Sequence, residues 1–183
     1  MIAVLVACTG LASVDVPRSS TTPTETAMTP DATCPITKPP ARPFIQPAPY
    51  PQKANPGEFW YGTPKLWTQL RADGTWKGLP HYTPDDPTFR QKLFWWRQGY
   101  DVPAEPYPKL KITGKRLDSS APPVLLADHA SNGWQQPEQP FMVVGINLPT
   151  LGCWEITGQY QDAQMTYVVW VAELCRSLRS CSL

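Results

Sequence analysis

Along this chain, short runs in which apolar and polar side chains alternate are set apart by Gly, Pro, Asn and Asp. Residues 66–70, 75–79, 91–96, 110–117, 124–127, 141–148, 153–160 and 165–171 read as strands, rich in β-branched or aromatic side chains. Asp73-Gly74 between the first two runs predicts a hairpin, since an Asp-Gly step supplies the positive φ of a tight turn. The last two runs, joined through Gln161-Asp162-Ala163-Gln164, predict a closing hairpin. No helical period of roughly ten residues or more precedes Val171, which argues against crossover helices and a parallel sheet. The expected fold is all-β, an antiparallel immunoglobulin-like β-sandwich of roughly seven to nine short strands.

Because successive strand residues point to opposite faces, the alternation also assigns a core. Trp154, Ile156 and Tyr160 are expected to face inward, and Cys153, Glu155, Thr157 and Gln159 outward. Leu110 and Ile112 face in while Lys109, Lys111, Thr113 and Lys115 face solvent, and a bulge near Gly114 is expected to return Leu117 to the core. Met142, Val144, Ile146 and Leu148 make a third inward stripe. In Phe59-Trp60-Tyr61 and Phe94-Trp95-Trp96 neighbouring rings cannot all enter one core. Either loops and proline rings cover the outward rings, or these form an open platform for sugar rings, peptides or another envelope protein. Trp60, Trp95, Arg97 and Tyr100 are the candidate members of that platform, whereas Trp154 and Trp170 are assigned to the core or to inter-sheet contacts.

Proline divides the chain: eleven of the 23 prolines fall in the first 56 positions. Residues 34–57 favour an extended, polyproline-like arm, and Ile36, Phe44, Ile45 and Tyr50 let it lie along a folded surface. A ligand for a proline-binding module is the other reading of this arm. Residues 9–33, rich in Thr, Ser and Pro, have the composition of a tether. Before them, Leu5-Val6-Ala7-Cys8 resembles a bacterial lipobox with Cys8 as the lipidated residue, although the apolar run is short and carries no Lys or Arg. The alternative is a chance apolar terminus bearing one cysteine. The order of lipid site, tether and folded domain makes physical sense, because a polar tail keeps a domain clear of the headgroups. The expected organisation is a lipoprotein-type signal over 1–8, a tether over 9–33, the arm over 34–57, one sandwich domain over 58–172 and a tail over 173–183.

Charge narrows the partners. Sixteen Lys and Arg against 15 Asp and Glu, scattered rather than clustered, lack the electrostatic footprint of a nucleic-acid binder. No later run approaches the roughly 18 to 20 apolar residues of a spanning helix, so the N-terminal lipid is the expected membrane contact. An envelope protein or a glycan is the expected ligand, and no cofactor is expected.

A triad, a metal site or a general base would have to recruit His81 or His129, the two histidines of the chain. Asp128-His129-Ala130-Ser131 offers suitable residue types, and a secreted hydrolase using His129 and Asp128 is the alternative function. Neighbours on a loop rarely reach a working geometry, however, and there is no nucleophile elbow or HExxH motif. His81 with Asp85 and Asp86 could hold a hard cation, solvated loop charges being the plainer reading. Glu155 falls on an outward face with no second carboxylate to pair with it. Cys175 and Cys181 can pair with each other or with another chain, and no nearby His points to metal.

GCWEITGQY at 152–160 followed by TYVVWV at 166–171, with FWYGT at 59–63, KLFWWRQGY at 92–100, ITGKRLD at 112–118 and CP at 34–35, resembles a family of small bacterial exported proteins and lipoproteins of unknown function. The resemblance covers about residues 34–172, and residues 172–183 look like an added tail. It implies export, a β-rich domain and shared aromatic positions, and it brings no catalytic residue. It also singles out Cys34 and Cys153 as the pair inside the shared region. A disulfide there would staple the arm across the outside of the last hairpin; two free thiols are the alternative. The expected function is that of a cell-envelope lipoprotein acting as a non-catalytic binding or structural module.

Overall fold

The computed structural model describes residues 33–77 and 89–172. The strands are β1 (Glu58–Thr63), β2 (Leu66–Arg71), β3 (Thr75–Trp76), β4 (Phe89–Trp96), β5 (Lys111–Arg116), β6 (Val124–Ala127), β7 (Ser131–Trp134), β8 (Pro140–Leu148), β9 (Gly152–Tyr160) and β10 (Ala163–Val171). They form two five-stranded sheets, in the orders β1-β2-β4-β8-β7 and β3-β10-β9-β5-β6. Pairing is antiparallel throughout, except that β3 runs parallel to β10. The protein is therefore an all-β, two-sheet fold with no helix among the described residues.

Several expectations need correction. Asp73-Gly74 does not close a hairpin, because β2 pairs with β1 and β4 while β3 belongs to the other sheet. Both edges of β2 are already occupied, so the chain crosses between sheets there. The Asp73 carboxylate accepts from the Thr75 N–H at 2.9 Å, and Gly74, at φ +69°, leaves room for Ile36, whose side chain any Cβ would strike. The hairpin in this region is β1–β2, turned at Pro64-Lys65. The bulge lies on β6 instead, where Leu126 is the extra residue opposite the Ile112–Thr113 step of β5. Leu117 does not return to the core and stays half-buried, its N–H donating to Cys153 O at 2.8 Å. Trp170 lies on the outer face of β10, directly across from Cys153. The closing hairpin β9–β10 forms as expected, with Tyr160 opposite Ala163.

The core sits between the sheets. Met142, Val144, Ile146 and Leu148 from β8 join Leu66, Leu70 and Leu93 on one side, against Ile112, Trp154, Ile156, Tyr167 and Val169 on the other. Trp95 spans the layers: it is fully buried, its ring lies 5.9 Å from that of Tyr167, and its far edge presses on the backbone at Gly158. A Cβ at Gly158 would overlap three atoms of that indole. Glycine in mid-strand thus answers a packing demand from the opposite sheet.

A second aromatic cluster lies on the outer face of the first sheet. Trp60, Trp67 and Trp96 are buried there, with Tyr50, Phe44 and Ala54 of the proline-rich arm against them. Tyr50 meets Trp67 edge-on at 5.2 Å and donates its hydroxyl to Pro140 O at 3.0 Å, while the Gln139 amide donates to Pro49 O at 2.7 Å. The other end of the arm is fixed to the second sheet. Cys34 forms a disulfide with Cys153, a sequence separation of 119, and Thr37 exchanges hydrogen bonds with Val168 at 3.0 and 2.8 Å. Cys153 points outward from β9, as its phase requires, and is buried because the arm covers it.

Two outcomes follow. Gly158→Ala forces Trp95 off its seat and is expected to destabilise the protein by about 1–3 kcal/mol, the usual cost of overpacking, in urea unfolding followed by tryptophan fluorescence. Replacing Cys34 and Cys153 together by Ser should lower stability by about 5 kcal/mol, from the entropy of a loop this long, in the same assay under oxidising conditions.

Candidate functional site

The four proposed platform residues do not form one. Trp60 is buried beneath the arm and Trp95 is buried in the inter-sheet core, on opposite faces of their sheet. Strand phase explains the separation: Trp95 precedes Trp96, and it is Trp96 that joins Trp60, at 5.1 Å. Tyr100 is also buried. Of the four, Arg97 alone reaches the surface, half-buried at the end of β4.

Asp128 and His129 lie together on an exposed turn between β6 and β7. Their side chains pair at 2.6 Å and are 71% and 73% exposed, so the pair lacks the enclosure that would tune a catalytic base. The imidazole beside it holds the Asp128 carboxyl below the usual carboxylate range. Glu155 is half-buried on the outer face of β9. Among the described residues no three of His, Cys, Asp and Glu stand together as a metal site. Cys8, His81, Asp85, Asp86, Cys175 and Cys181 lie outside the described residues.

Polar side chains converge at the two ends of β9. At its start, Arg116 grips the Asp118 carboxylate through two nitrogens and donates to Thr150 Oγ1 at 3.0 Å. Asp118 accepts from the Cys153 N–H at 3.2 Å, and the Arg116 guanidinium holds its carboxyl low. Gly152, at φ +125°, packs against both side chains and admits no Cβ. Residues 116–118 and 152–153, prominent in the sequence, therefore serve to aim Cys153 at Cys34.

At the far end, the β1–β2 turn, the end of β4 and the β9–β10 turn surround a notch of about 290 Å³ lined by Pro64, Lys65, Arg97, Gln98, Gln161 and Asp162, with Tyr160 at its base. The Arg97 guanidinium lies 5.6 Å above the Tyr160 ring and donates through Nη1 to Gln161 Oε1. The other end of the Gln161 amide donates to Glu105 Oε1 at 3.0 Å, and Glu105 Oε2 receives the Tyr160 hydroxyl. Tyr100 meets Tyr160 edge-on at 6.4 Å and donates to Asn132 Oδ1, while the Asn132 amide donates to Glu105 O and Pro106 O. Lys65 pairs with Asp162 across the mouth at 2.6 Å. The chain of bonds fixes Arg97 from behind and keeps Glu105 occupied.

Burial, followed by the Glu105 charge, pushes the Tyr100 phenol up to about 12, and burial with the Glu105 hydrogen bond pushes Tyr160 up as well. Both are donors, never bases, near neutrality. Of this corner the sequence indicated Arg97 and Tyr100; Glu105 and Gln161 carried no signal, because their role depends on loops meeting across the sandwich. Among the described residues no helix is long and apolar enough to cross a membrane. Searches of family models, curated proteins and solved structures found no match to this chain.

The raised Tyr100 value has a direction in pH. The folded protein keeps a proton that the unfolded chain releases near 10, so this contribution to stability is lost as pH rises from there through about 12. The difference in phenolate absorbance between the protein and Tyr100→Phe, followed through alkaline titration, should have its midpoint near 12. A midpoint at the ordinary tyrosine value would contradict the packed corner.

Proposed function

We propose that the protein is an exported cell-envelope lipoprotein, anchored through an acylated Cys8, that works by binding and carries out no chemistry of its own. The observation that carries this reading is the Cys34–Cys153 disulfide, a bond that persists where thiols are oxidised and is rare in a reducing cytosol. The arrangement of polar groups supports the non-catalytic half. The exposed Asp128–His129 pair and the hydrogen-bonded Glu105 are both committed to local partners, and the notch at Arg97 presents a cation to solvent rather than a base or a nucleophile. Export also agrees with the resemblance to a family of small bacterial exported proteins.

Intact mass of the protein expressed in a bacterial host, before and after reduction and alkylation, tests the proposal. The expected product has lost residues 1–7, carries acyl chains on Cys8, and releases the Cys34 and Cys153 thiols only on reduction. An unprocessed chain with all thiols alkylated before reduction would overturn it.

A further inference from the structure

We infer that the notch at the end of β9 is a site for a small ligand bearing a carboxylate, with Arg97 as the group that recognises it; this rests on the binding role proposed above and names the ligand class. The guanidinium has five N–H donors, of which Nη1 is taken by Gln161 and Nε reaches Gln98 O at a long 3.4 Å. Arg97 lines the notch, and no hydrogen bond from its Nη2 to a described residue occupies the other arm of the fork. Among the described residues no carboxylate pairs with Arg97. Asp162, the acid of the lining, is held by Lys65, and Glu105 behind the wall is held by Tyr160 and Gln161. Two cations and one acid line the notch and the Glu105 carboxylate stands behind it, so the charges balance over the corner as a whole, but none of these carboxylates contacts Arg97.

The Arg97 charge is also fixed in place, which separates it from an ordinary surface arginine. The Tyr160 ring supports the guanidinium from below, and Gln161, its backbone at φ +52°, has its amide oriented by Glu105 so that the oxygen meets Arg97. A planar, pre-positioned fork suits a carboxylate, which it can grip with two parallel hydrogen bonds. The volume, about 290 Å³, is at the small end of ligand sites and equals the room of about ten waters, enough for one sugar acid or a dipeptide.

The test is an NMR titration of the full-length oxidised protein with D-glucuronate and with glycyl-alanine, using D-glucose and glycyl-alaninamide as neutral controls. Saturable shifts at the amides of Gln98, Gln161 and Asp162 are expected with at least one acid, with dissociation constants on the order of 1 mM for so few contacts, and none with the controls. Response to glucuronate alone identifies a sugar acid, response to the dipeptide alone a peptide C-terminus, and response to both a site that reads the carboxylate. Arg97→Gln should weaken binding by about tenfold or more, the worth of a lost charge-assisted pair. Arg97→Lys, which keeps the charge and loses the fork, should also weaken it, and it serves if Arg97→Gln fails to fold. Absence of saturable shifts with both acids, equal shifts with the neutral controls, or unchanged binding in the folded variants would overturn the site. A processed, acylated protein that ignores both acids overturns this inference alone, whereas an unprocessed reduced chain overturns the envelope reading whatever the titration gives.

Discussion

Trp95 and Trp96 are neighbours in one strand, point to opposite faces of it, and are both buried. The rest of the architecture depends on that constraint. A sheet that carries large rings on both faces needs a cover on each, and here the second sheet supplies one and the proline-rich arm the other. The arm has few side chains to offer, yet Phe44 and Tyr50 reach the Trp60, Trp67 and Trp96 cluster, and each buried aromatic removes on the order of 150–250 Å² from water. The contact carries a penalty as well. Among the described residues the indole N–H groups of Trp60 and Trp67 and both ends of the buried Gln46 amide have no hydrogen-bond partner, and a buried polar group without one is costly. An extended segment with such a balance gains from being fixed at its ends, and the Cys34–Cys153 bond fixes it to the sheet on the other side of the core.

Strand β9 then divides the work between its two ends. Its first residues are devoted to construction: Arg116 and Asp118 hold the Cys153 backbone, and Gly152 has no side chain because those two groups fill the space one would take. Its middle receives Trp95 at Gly158, which locks the two sheets together. Its last residue, Tyr160, supports Arg97, and the turn that follows supplies Gln161. Rigid packing at the centre is what makes a fixed arginine at the rim affordable, since a guanidinium on a loose turn would lose its orientation to side-chain entropy.

How much of this was legible in the chain follows from which interactions are local. Alternation within a strand depends only on backbone geometry, so the inward stripe of β8, the phase of Cys153 and the closing hairpin could be read directly. Asp73-Gly74 misled because its local chemistry is that of a turn in either case; whether the turn joins neighbours or crosses between sheets is decided by β1 and β4 occupying both edges of β2. Strand β7, Ser131–Trp134, has neither β-branched residues nor a hydrophobic period, and exists because β8 offers it an edge. The aromatic triplets correctly signalled rings on both faces, but not which face the arm would take. The candidate platform failed on that point, and the corner that replaced it joins residues 64 to 162, a separation that no local pattern encodes.

The two ends of β9 are also related in space. A nine-residue strand is about 30 Å long, so the disulfide and the Arg97 notch stand near opposite ends of the sandwich. The disulfide then does more than stabilise. Without it, the arm before Phe44 would be held by contacts such as the Thr37 hydrogen bonds and the packing of Ile36 at Gly74, and ten extended residues reach about 33 Å. Pinning Cys34 to Cys153 therefore fixes the start of the arm at the end of the sandwich opposite Arg97.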